Sequence, residues 1–286
     1  MLREIRDLGF DYAELSHGIR ISLLPGIFEA VDAGEIKISS LHNFCPLPMG
    51  VDRAAPNIYK FSSEDRRERE SAFKHTMKTL ETAVRVKAKL VVLHTGCVDM
   101  KGYTDTLIDM VGEGKKGTPK FEKLFQEVLQ VREKKKARYI ENALESIRRV
   151  VDEAKPRGVK LGIENREALE EIPFESDYDS FMNELRDPTI VYWHDTGHAQ
   201  IKENLGIINH KQHLEARRER LCGFHIHDVE FPGRDHRPPG KGCINWVALK
   251  PIVQPHHFKV LELSPSLSPD DARGGTETIK AAWGPE

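Results

Sequence analysis

Short apolar runs alternate with charged stretches along almost the whole chain. The runs are rich in β-branched and aromatic residues and lie between turn-forming residues, which is the pattern of strands. Seven such runs occur, at residues 12–16, 37–43, 89–94, 160–165, 190–195, 223–228 and 258–264. Because helical segments separate them, the pattern predicts a parallel sheet and an α/β fold.

The polar stretches between these runs predict helices. Residues 64–86 carry apolar side chains at helical spacing and residues 143–154 repeat the pattern, so both are expected to be amphipathic helices that cover a barrel. The chain opens on another helix-like segment, 2–8, where an eight-stranded barrel would need its first strand. We therefore expect a (β/α)8 TIM barrel whose first strand is missing or truncated, or a barrel open on that side.

A long insertion follows the strand predicted at 89–94. It runs from residue 97 to about 139 and contains a Gly/Lys turn at 112–117 and a highly charged helix at 121–136. Loops at the carboxyl ends of barrel strands build the pocket, so this segment is either a lid or a solvated surface helix.

Length and composition suit one domain over residues 1–286. The chain has 286 residues and 39% hydrophobic content, and α/β barrels commonly reach about 250 residues without splitting. The 43 basic and 45 acidic residues nearly cancel, so no nucleic-acid partner is expected. No leader peptide and no apolar run of membrane length is recognised, which favours a cytoplasmic protein without a membrane partner. Four cysteines at irregular spacing are expected to be reduced thiols.

Four ionisable residues end predicted strands at regular intervals. Glu164, Asp195, His227 and Glu262 are separated by 31, 32 and 35 residues, and each gap is about one strand-plus-helix unit. Strand ends meet at one end of a parallel barrel, so these side chains are expected to converge. Burying several charges together is costly unless a cation compensates them. The four residues therefore predict a divalent metal site, with unrelated strand-end salt bridges as the alternative.

Further imidazoles accompany these four residues. His42 and His94 end two earlier strands and are either packing residues or additional ligands. His198 lies where a helix can begin, and it could bind a second metal or a substrate oxygen. His236 and Arg237 lie on a loop rich in Gly, Pro and charge that follows the strand at 223–228.

Arg166 is a candidate substrate-binding residue. It follows the predicted strand at 160–165 and could meet an acidic or phosphorylated substituent of a substrate. The alternative is a surface ion pair with Glu167 or Glu170.

Seven segments resemble the successive strand-end motifs of one family. LGFDYAEL, LVVLHTG, LGIEN, HDTGHA, FHIHD, PPGKGCINW and VLELSP are similar, in order and spacing, to motifs of the sugar phosphate isomerase/epimerase superfamily, the xylose isomerase-like TIM barrels. The resemblance runs from about residue 8 to residue 265. It implies a single xylose isomerase-like TIM-barrel domain. The family includes ketose 3-epimerases and the DNA-repair enzyme endonuclease IV.

The resemblance assigns roles to several residues. Glu164, Asp195, His227 and Glu262 resemble the ligands of a divalent metal, usually Mn²⁺, Mg²⁺ or Co²⁺ and, in endonuclease IV, Zn²⁺. His198 resembles a substrate-contacting histidine, and the family's arginine after the seventh strand is matched by either His236 or Arg237. The multi-zinc pattern of endonuclease IV is similar at His42, His94, Glu164, Asp195, His198, His227, His236 and Glu262.

These features lead to a functional hypothesis. We expect a metal-dependent isomerase or epimerase of a keto-sugar, sugar phosphate or cyclitol, in which Glu164 and Glu262 transfer a proton through an enediolate. The expected partner is a small-molecule carbohydrate, and a homodimer is left open. The alternatives are an endonuclease IV-like multi-zinc phosphodiester hydrolase, a keto-sugar dehydratase and a non-catalytic ligand-binding barrel.

Overall fold

The computed structural model describes residues 2–284, and a seven-stranded sheet runs through them. Its strands are β1 (Tyr12–Leu15), β2 (Lys37–His42), β3 (Leu90–Leu93), β4 (Lys160–Glu164), β5 (Ile190–Asp195), β6 (Leu221–Ile226) and β9 (Phe258–Leu261). They lie in the order β1-β2-β3-β4-β5-β6-β9. The neighbouring strands run parallel in the pairs β1–β2, β2–β3, β3–β4, β5–β6 and β6–β9. All seven predicted strands are confirmed.

The helices follow the strands in alternation. They are α1 (Leu2–Asp7), α2 (Leu24–Asp32), α3 (Arg66–Arg85), α4 (Thr104–Gly112), α5 (Pro119–Ala154), α6 (Tyr178–Glu184), α7 (Thr196–Leu205), α8 (His210–Ala216), α9 (Trp246–Leu249) and α10 (Pro269–Trp283). Within residues 2–284, α1 precedes β1 and no strand does, as the sequence predicted. None of the described helices combines the length and apolar character needed to cross a membrane.

The chain forms two compact units. The first contains residues 2–99, 135–164 and 172–191, and therefore strands β1 to β4. Its core is made by the fully buried strand β3, by β4, which is buried after the exposed Lys160, and by one face of α3. The hydroxyls of Thr76 and Thr79 on that face hold the side chain of Asn43 at 3.0 and 2.9 Å. Helix α3 thus fixes the end of β2, where His42 lies.

The second unit contains residues 100–134, 165–171 and 192–284. Its sheet consists of most of β5 together with β6 and β9. Gly223 on β6 lets the side chain of Trp193 on β5 pack against the backbone, because a Cβ at residue 223 would lie 2.5 Å from Trp193 Cζ3. An antiparallel hairpin, β7 (Asp228–Glu230) with β8 (Arg234–Arg237), follows β6. A loop was predicted for this segment, because its two strands are short and charged and lack the apolar alternation of a buried strand.

The insertion predicted between 97 and 139 forms α4 and the first part of α5. The helices predicted at 121–136 and 143–154 are one continuous helix, because the residues between them include no Gly or Pro. In the second unit, Thr104 Oγ1 donates to Glu170 Oε2 at 2.6 Å and Arg132 Nε donates to the Leu169 carbonyl at 2.9 Å. The insertion therefore holds the loop at 165–171, and its action as a lid stays a prediction.

All four cysteines are free thiols, as expected. Burial raises the pKa of Cys45 to about 12, so this thiol stays protonated at neutral pH. An unreactive packing role for Cys45 follows.

Buried histidines make the folded state sensitive to acid. Burial lowers the pKa of His210 to about 3 and holds the pKa of His194 well below its ordinary value. Both rings are neutral in the folded protein, but the unfolded chain binds protons on them below about pH 6.5. The free energy of unfolding therefore falls as the pH drops below that value, by up to about 1.4 kcal/mol per pH unit for each histidine.

Replacing His210 should reduce this acid sensitivity. Between about pH 7 and about pH 5, the Tm of the unaltered protein should fall more steeply than that of His210→Asn, since the variant lacks one proton-binding site of the unfolded chain. The exposed His256→Asn is the control and should keep the original slope. Calorimetric scans across this pH range measure the slopes, and equal slopes for His210→Asn and the unaltered protein would contradict the assignment.

Candidate active site

The junction between β5 and α7 provides a buried carboxylate in the second unit. Asp195 ends β5 and is fully buried, and its Oδ1 accepts the backbone N–H of His198 at 2.7 Å as the N-cap of α7. Its Oδ2 lies 3.0 Å from Nε2 of His227. One carboxylate therefore joins the strand end, the helix start and an imidazole that follows β6.

The two residues after Asp195 position His227. The Thr196 hydroxyl lies 2.8 Å from the carbonyl oxygen of His227 and 3.1 Å from its backbone nitrogen. Gly197 faces the imidazole, and a Cβ at this position would lie 2.0 Å from Cε1 of His227. The HDTGHA segment therefore supplies a buried carboxylate, a hydroxyl for the neighbouring backbone and the space for the His227 ring.

His227 also contacts the hairpin. Its ring stacks on that of His236 with centroids 4.2 Å apart, and the backbone N–H of His236 donates to His227 Nδ1 at 2.9 Å. A neutral ring that accepts at Nδ1 carries its proton on Nε2, which donates to Asp195. Burial alone would lower the pKa of His227, but the Asp195 carboxylate and this hydrogen bond raise it above its ordinary value.

Glu262 follows β9 and lies among imidazoles. His225 Nδ1 is 3.1 Å from Glu262 Oε2, and His236 Nε2 is 3.8 Å from Glu262 Oε1. Burial would lower the pKa of His236, but hydrogen bonds to Asp235 and Glu262 raise it to about 11. The contact between His225 and Glu262 was not predicted from the sequence, although the spacing of two residues between His225 and His227 places both on one strand face.

A third set of ligand-type side chains comprises Glu167, His198 and Asp235. One ligand atom from each lies within 4.8 Å of the others. Nδ1 of His198 is 3.0 Å from the Asn165 carbonyl oxygen and 3.2 Å from Nη1 of Arg166, so the loop after β4 holds this edge of the ring. Burial raises the pKa of Glu167. Neither Glu167 nor Asp235 was predicted as a ligand, because Glu167 lies on an irregular loop and Asp235 on the β7–β8 hairpin, and only tertiary contacts bring both to His198.

Arg166 is buried, which corrects the surface position expected for an ion pair with Glu167 or Glu170. It is 6% exposed, and its Nε donates to Glu171 Oε1 at 2.9 Å. Its Nη1 is 3.2 Å from His198 Nδ1. Arg237 lies on β8 with its Nε 3.5 Å from a carboxylate oxygen of Glu230 on β7. Both predicted substrate-binding arginines therefore face carboxylates of their own unit.

The first unit has a ligand group of its own, at the ends of three neighbouring strands. Glu164 ends β4 and is 1% exposed, and its Oε2 lies 2.5 Å from His94 Nε2 and 3.8 Å from His42 Nε2. Nδ1 of His42 is 2.8 Å from the Asn43 carbonyl oxygen, which directs Nε2 toward Glu164. His42 and His94 thus lie beside Glu164, and their role as additional ligands stays a prediction.

The donor sets suit a divalent metal. Each of three groups, His42/His94/Glu164, His227/His236/Glu262 and Glu167/His198/Asp235, has ligand atoms within 4.8 Å of one another. Neutral imidazoles with carboxylates are ligands for Zn²⁺, Mn²⁺ and Co²⁺. The residues therefore fit a metal cofactor. A single site that combines Glu164 with Asp195, His227 and Glu262 stays a prediction.

Comparison with known families decides the fold family. A model described as the xylose isomerase-like TIM barrel matches residues 2–280. The chain belongs to this family. The match confirms both the resemblance and the TIM-barrel fold class predicted from the sequence. No protein of curated function has a sequence that matches significantly.

Solved structures of xylose isomerase-like barrels share the fold at low sequence identity. A D-tagatose 3-epimerase-like protein has a TM-score of 0.68 and 17% identity, with 98% of this chain and 91% of that chain covered. The 3-keto-D-glucoside 4-epimerase YcjR from E. coli has a TM-score of 0.67 and 14% identity, with coverages of 98% and 92%. An IolI protein with a bound zinc atom has a TM-score of 0.66 and 17% identity, with coverages of 98% and 92%. At these identities the likeness shows the fold alone.

The close approach of Gly197 to His227 yields a test of the ligand role. Gly197→Ala should displace the imidazole and weaken the binding of Zn²⁺ or Mn²⁺ by at least about tenfold. Gly274→Ala in α10 is a matched control, because nothing lies within 4 Å of the added Cβ. Isothermal titration calorimetry measures both. Unchanged affinity in Gly197→Ala would remove His227 from the ligand set.

Proposed function

We propose that this protein is a divalent-metal-dependent isomerase or epimerase of a keto-sugar, sugar phosphate or cyclitol. The observation that carries the proposal is the pairing of strand-end carboxylates with imidazoles: Glu164 with His94, Asp195 with His227, and Glu262 with His225. Family membership adds support, since carboxyl-end residues of TIM-barrel strands commonly carry out the chemistry.

In this proposal Glu164, Asp195, His227 and Glu262 hold one cation. The bound ion, Mn²⁺, Mg²⁺, Co²⁺ or Zn²⁺, would supply Lewis-acid polarisation of a substrate carbonyl, which lowers the pKa of the neighbouring C–H. The residue after Glu164 supports this set of four ligands. The side-chain amide of Asn165 donates to the Asp195 carbonyl at 3.0 Å and accepts the Asp195 N–H at 2.7 Å.

The two glutamates would move the proton. Either Glu164 or Glu262 removes it from the carbon beside the carbonyl, and the other returns it to the enediolate. Return to the opposite face gives epimerisation, and return to the adjacent carbon gives isomerisation. Glu262 is 30% exposed, so a substrate can reach its carboxylate, and the nearby His225 can hydrogen-bond to the charged form. His198, whose Nδ1 lies 3.0 Å from the Asn165 carbonyl oxygen, would contact a substrate oxygen.

The named activities of the structural neighbours support a carbohydrate substrate. They include D-psicose 3-epimerases crystallised with D-tagatose or D-fructose. A small-molecule carbohydrate partner is therefore proposed here. A cytoplasmic location is proposed as well, because four free thiols suit a reducing compartment.

Removing either proton-transfer group should stop exchange. Glu164→Gln and Glu262→Gln should each reduce solvent deuterium uptake into D-fructose, D-tagatose or D-psicose by at least about a hundredfold, since amides cannot accept the proton. Glu29→Gln on the exposed surface of α2 is the control. Mass spectrometry of the sugar measures uptake and circular dichroism checks the fold. Unchanged exchange in both variants would sink this mechanism.

A second candidate is a multi-zinc phosphodiester hydrolase. It is favoured by the His42/His94/Glu164 and Glu167/His198/Asp235 groups, which provide ligands beyond those of one ion. Clustered zinc ions can activate a water for attack on a phosphodiester. A keto-sugar dehydratase would share the first proton removal of the leading proposal and then lose hydroxide.

Metal counting separates the two candidates. Elemental analysis of the purified, metal-reconstituted protein should find about one ion per chain for the isomerase and two to three zinc ions for the hydrolase. His94→Ala should leave the count unchanged in the first case, because His94 is outside the four-ligand set, and lower it by about one in the second. Three zinc ions with no deuterium exchange would favour the hydrolase.

A further inference from the structure

Three residues on one face of α4 contact other segments of the second unit. Thr104, Ile108 and Gly112 follow one another at intervals of four residues, so they lie along one line of the helix surface. Thr104 begins the helix and Gly112 ends it, and the line between them is about 12 Å long at about 1.5 Å per residue. A helix of this length can hold separate segments at a fixed distance from one another.

Thr104 holds the loop at 165–171. Its hydroxyl donates to Glu170 Oε2 at 2.6 Å and accepts the backbone N–H of Leu169 at 3.0 Å. The other carboxylate oxygen of Glu170 accepts the N–H of Tyr103 at 2.6 Å. Both Thr104 and Glu170 are buried, so water competes little for these hydrogen bonds. One hydroxyl therefore joins the start of α4 to the backbone and to a side chain of the loop.

The loop is closed on itself by the carboxylate of Glu171. Arg166 Nε donates to Glu171 Oε1 at 2.9 Å, and the N–H of Ala168 donates to Glu171 Oε2 at 3.2 Å. Glu167 lies between these two donors in the chain. A loop closed in this way moves as one piece, so the position of Leu169 against α4 sets the position of Glu167.

Ile108 and Gly112 contact the turn of the β7–β8 hairpin. A Cβ at Gly233 would lie 2.7 Å from Ile108 Cγ2, so the isoleucine packs directly on the backbone of the turn. A Cβ at Gly112 would lie 3.2 Å from Pro232 Cγ, so the glycine lets the proline ring approach the end of α4. Asp235 lies on β8, two residues after the turn. Contact with α4 therefore sets the position of the hairpin that carries Asp235.

The turn after α4 reaches the helix that carries His198. Lys116 Nζ donates to the Asn204 carbonyl at 2.5 Å, and Asn204 Nδ2 donates to a carbonyl of the hairpin turn at 2.9 Å. Asn204 lies in the last turn of α7 and His198 in the first. Helix α4 and the turn after it therefore contact all three segments that supply the Glu167/His198/Asp235 group.

We propose that α4 is a fixed positioning element in which Thr104 and Ile108 hold Glu167 and Asp235 around His198. The inference rests on the proposed function, in which His198 contacts a substrate oxygen. Thr104 acts through the loop at 165–171 and Ile108 acts through the hairpin, so both are positioning residues. Loss of either contact should change the surroundings of His198 and leave the proton-transfer groups in place.

Amide hydrogen exchange tests whether α4 and the loop are held together. The amide protons of Tyr103 and Leu169 donate to Glu170 and Thr104, so they should exchange slowly in the unaltered protein. In Thr104→Val, which keeps the shape of the side chain and removes the hydroxyl, the Leu169 amide should exchange at least about tenfold faster. Thr104→Ser keeps the hydroxyl and should keep this exchange slow. Fast exchange of both amides in the unaltered protein would contradict a fixed contact.

The NMR signal of the His198 ring reports the positioning itself. In Mg²⁺-reconstituted protein labelled with ¹³C-histidine, this signal is assigned by its loss in His198→Gln. It should shift in Thr104→Val and in Ile108→Ala, but not in Thr104→Ser. Thr106→Val, the same substitution at an exposed position of α4, is the matched control and should leave the signal in place. An unshifted signal in both Thr104→Val and Ile108→Ala, or equal shifts in Thr104→Val and Thr104→Ser, would overturn the inference. If Thr104→Val does not fold, Ile108→Ala decides the question.

Kinetics separate this proposal from the proposed function. With D-fructose, D-tagatose or D-psicose, Thr104→Val should raise the KM for solvent deuterium uptake by about fivefold or more and keep kcat within about twofold, because Glu164 and Glu262 are untouched. Thr104→Ser should restore the original KM. If the His198 signal shifts and KM does not change, the positioning role stands and the substrate contact of His198 is wrong. If the unaltered protein exchanges no deuterium with these sugars, the proposed function fails on them, and the His198 signal decides the positioning role.

Discussion

The fold depends on how carboxylates can be buried at the ends of parallel strands. Glu164 and Asp195 have almost no exposed surface, and an isolated buried carboxylate costs several kcal/mol. Each has an imidazole within hydrogen-bond distance, His94 for Glu164 and His227 for Asp195. An imidazole can share a proton with the carboxylate, and a metal ion can replace that proton. The same pairs therefore stabilise the buried carboxylates in the folded protein and suit the proposed metal cofactor.

Small residues and hydroxyls set the geometry of these pairs. Gly197 leaves room for the His227 ring, and the Thr196 hydroxyl holds its backbone. The backbone N–H of His236 reaches His227 because His236 adopts a φ of 52°, in the left-handed region that non-glycine residues seldom occupy. Here a hairpin residue orients a residue that follows β6, and strand order alone would not impose that contact.

The sequence predicted the parts of the molecule that follow from periodicity. Seven strands, their parallel arrangement and the strand-end positions of Glu164 and Asp195 all follow from local pattern and spacing. The hydrogen bond of Arg166 to Glu171 does not, because Glu167 and Glu170 are nearer in sequence and only the path of the loop brings Glu171 to the guanidinium. The β7–β8 hairpin was missed because RDHR is entirely polar and resembles a loop. Glu167 and Asp235 come together with His198 only through tertiary contacts.

The two units treat their histidines in the same way, and this favours ligand roles over simple packing. In the first, His42 Nδ1 lies 2.8 Å from the Asn43 carbonyl, and in the second, His198 Nδ1 lies 3.0 Å from the Asn165 carbonyl. Both asparagines are immobilised through their side chains, Asn43 by threonines of α3 and Asn165 by the Asp195 backbone. A backbone carbonyl near Nδ1 fixes the orientation of the ring, as such acceptors do for metal-binding histidines. A packing histidine needs no such rigid acceptor, so the repeated arrangement supports the proposed ligand roles of His42 and His198.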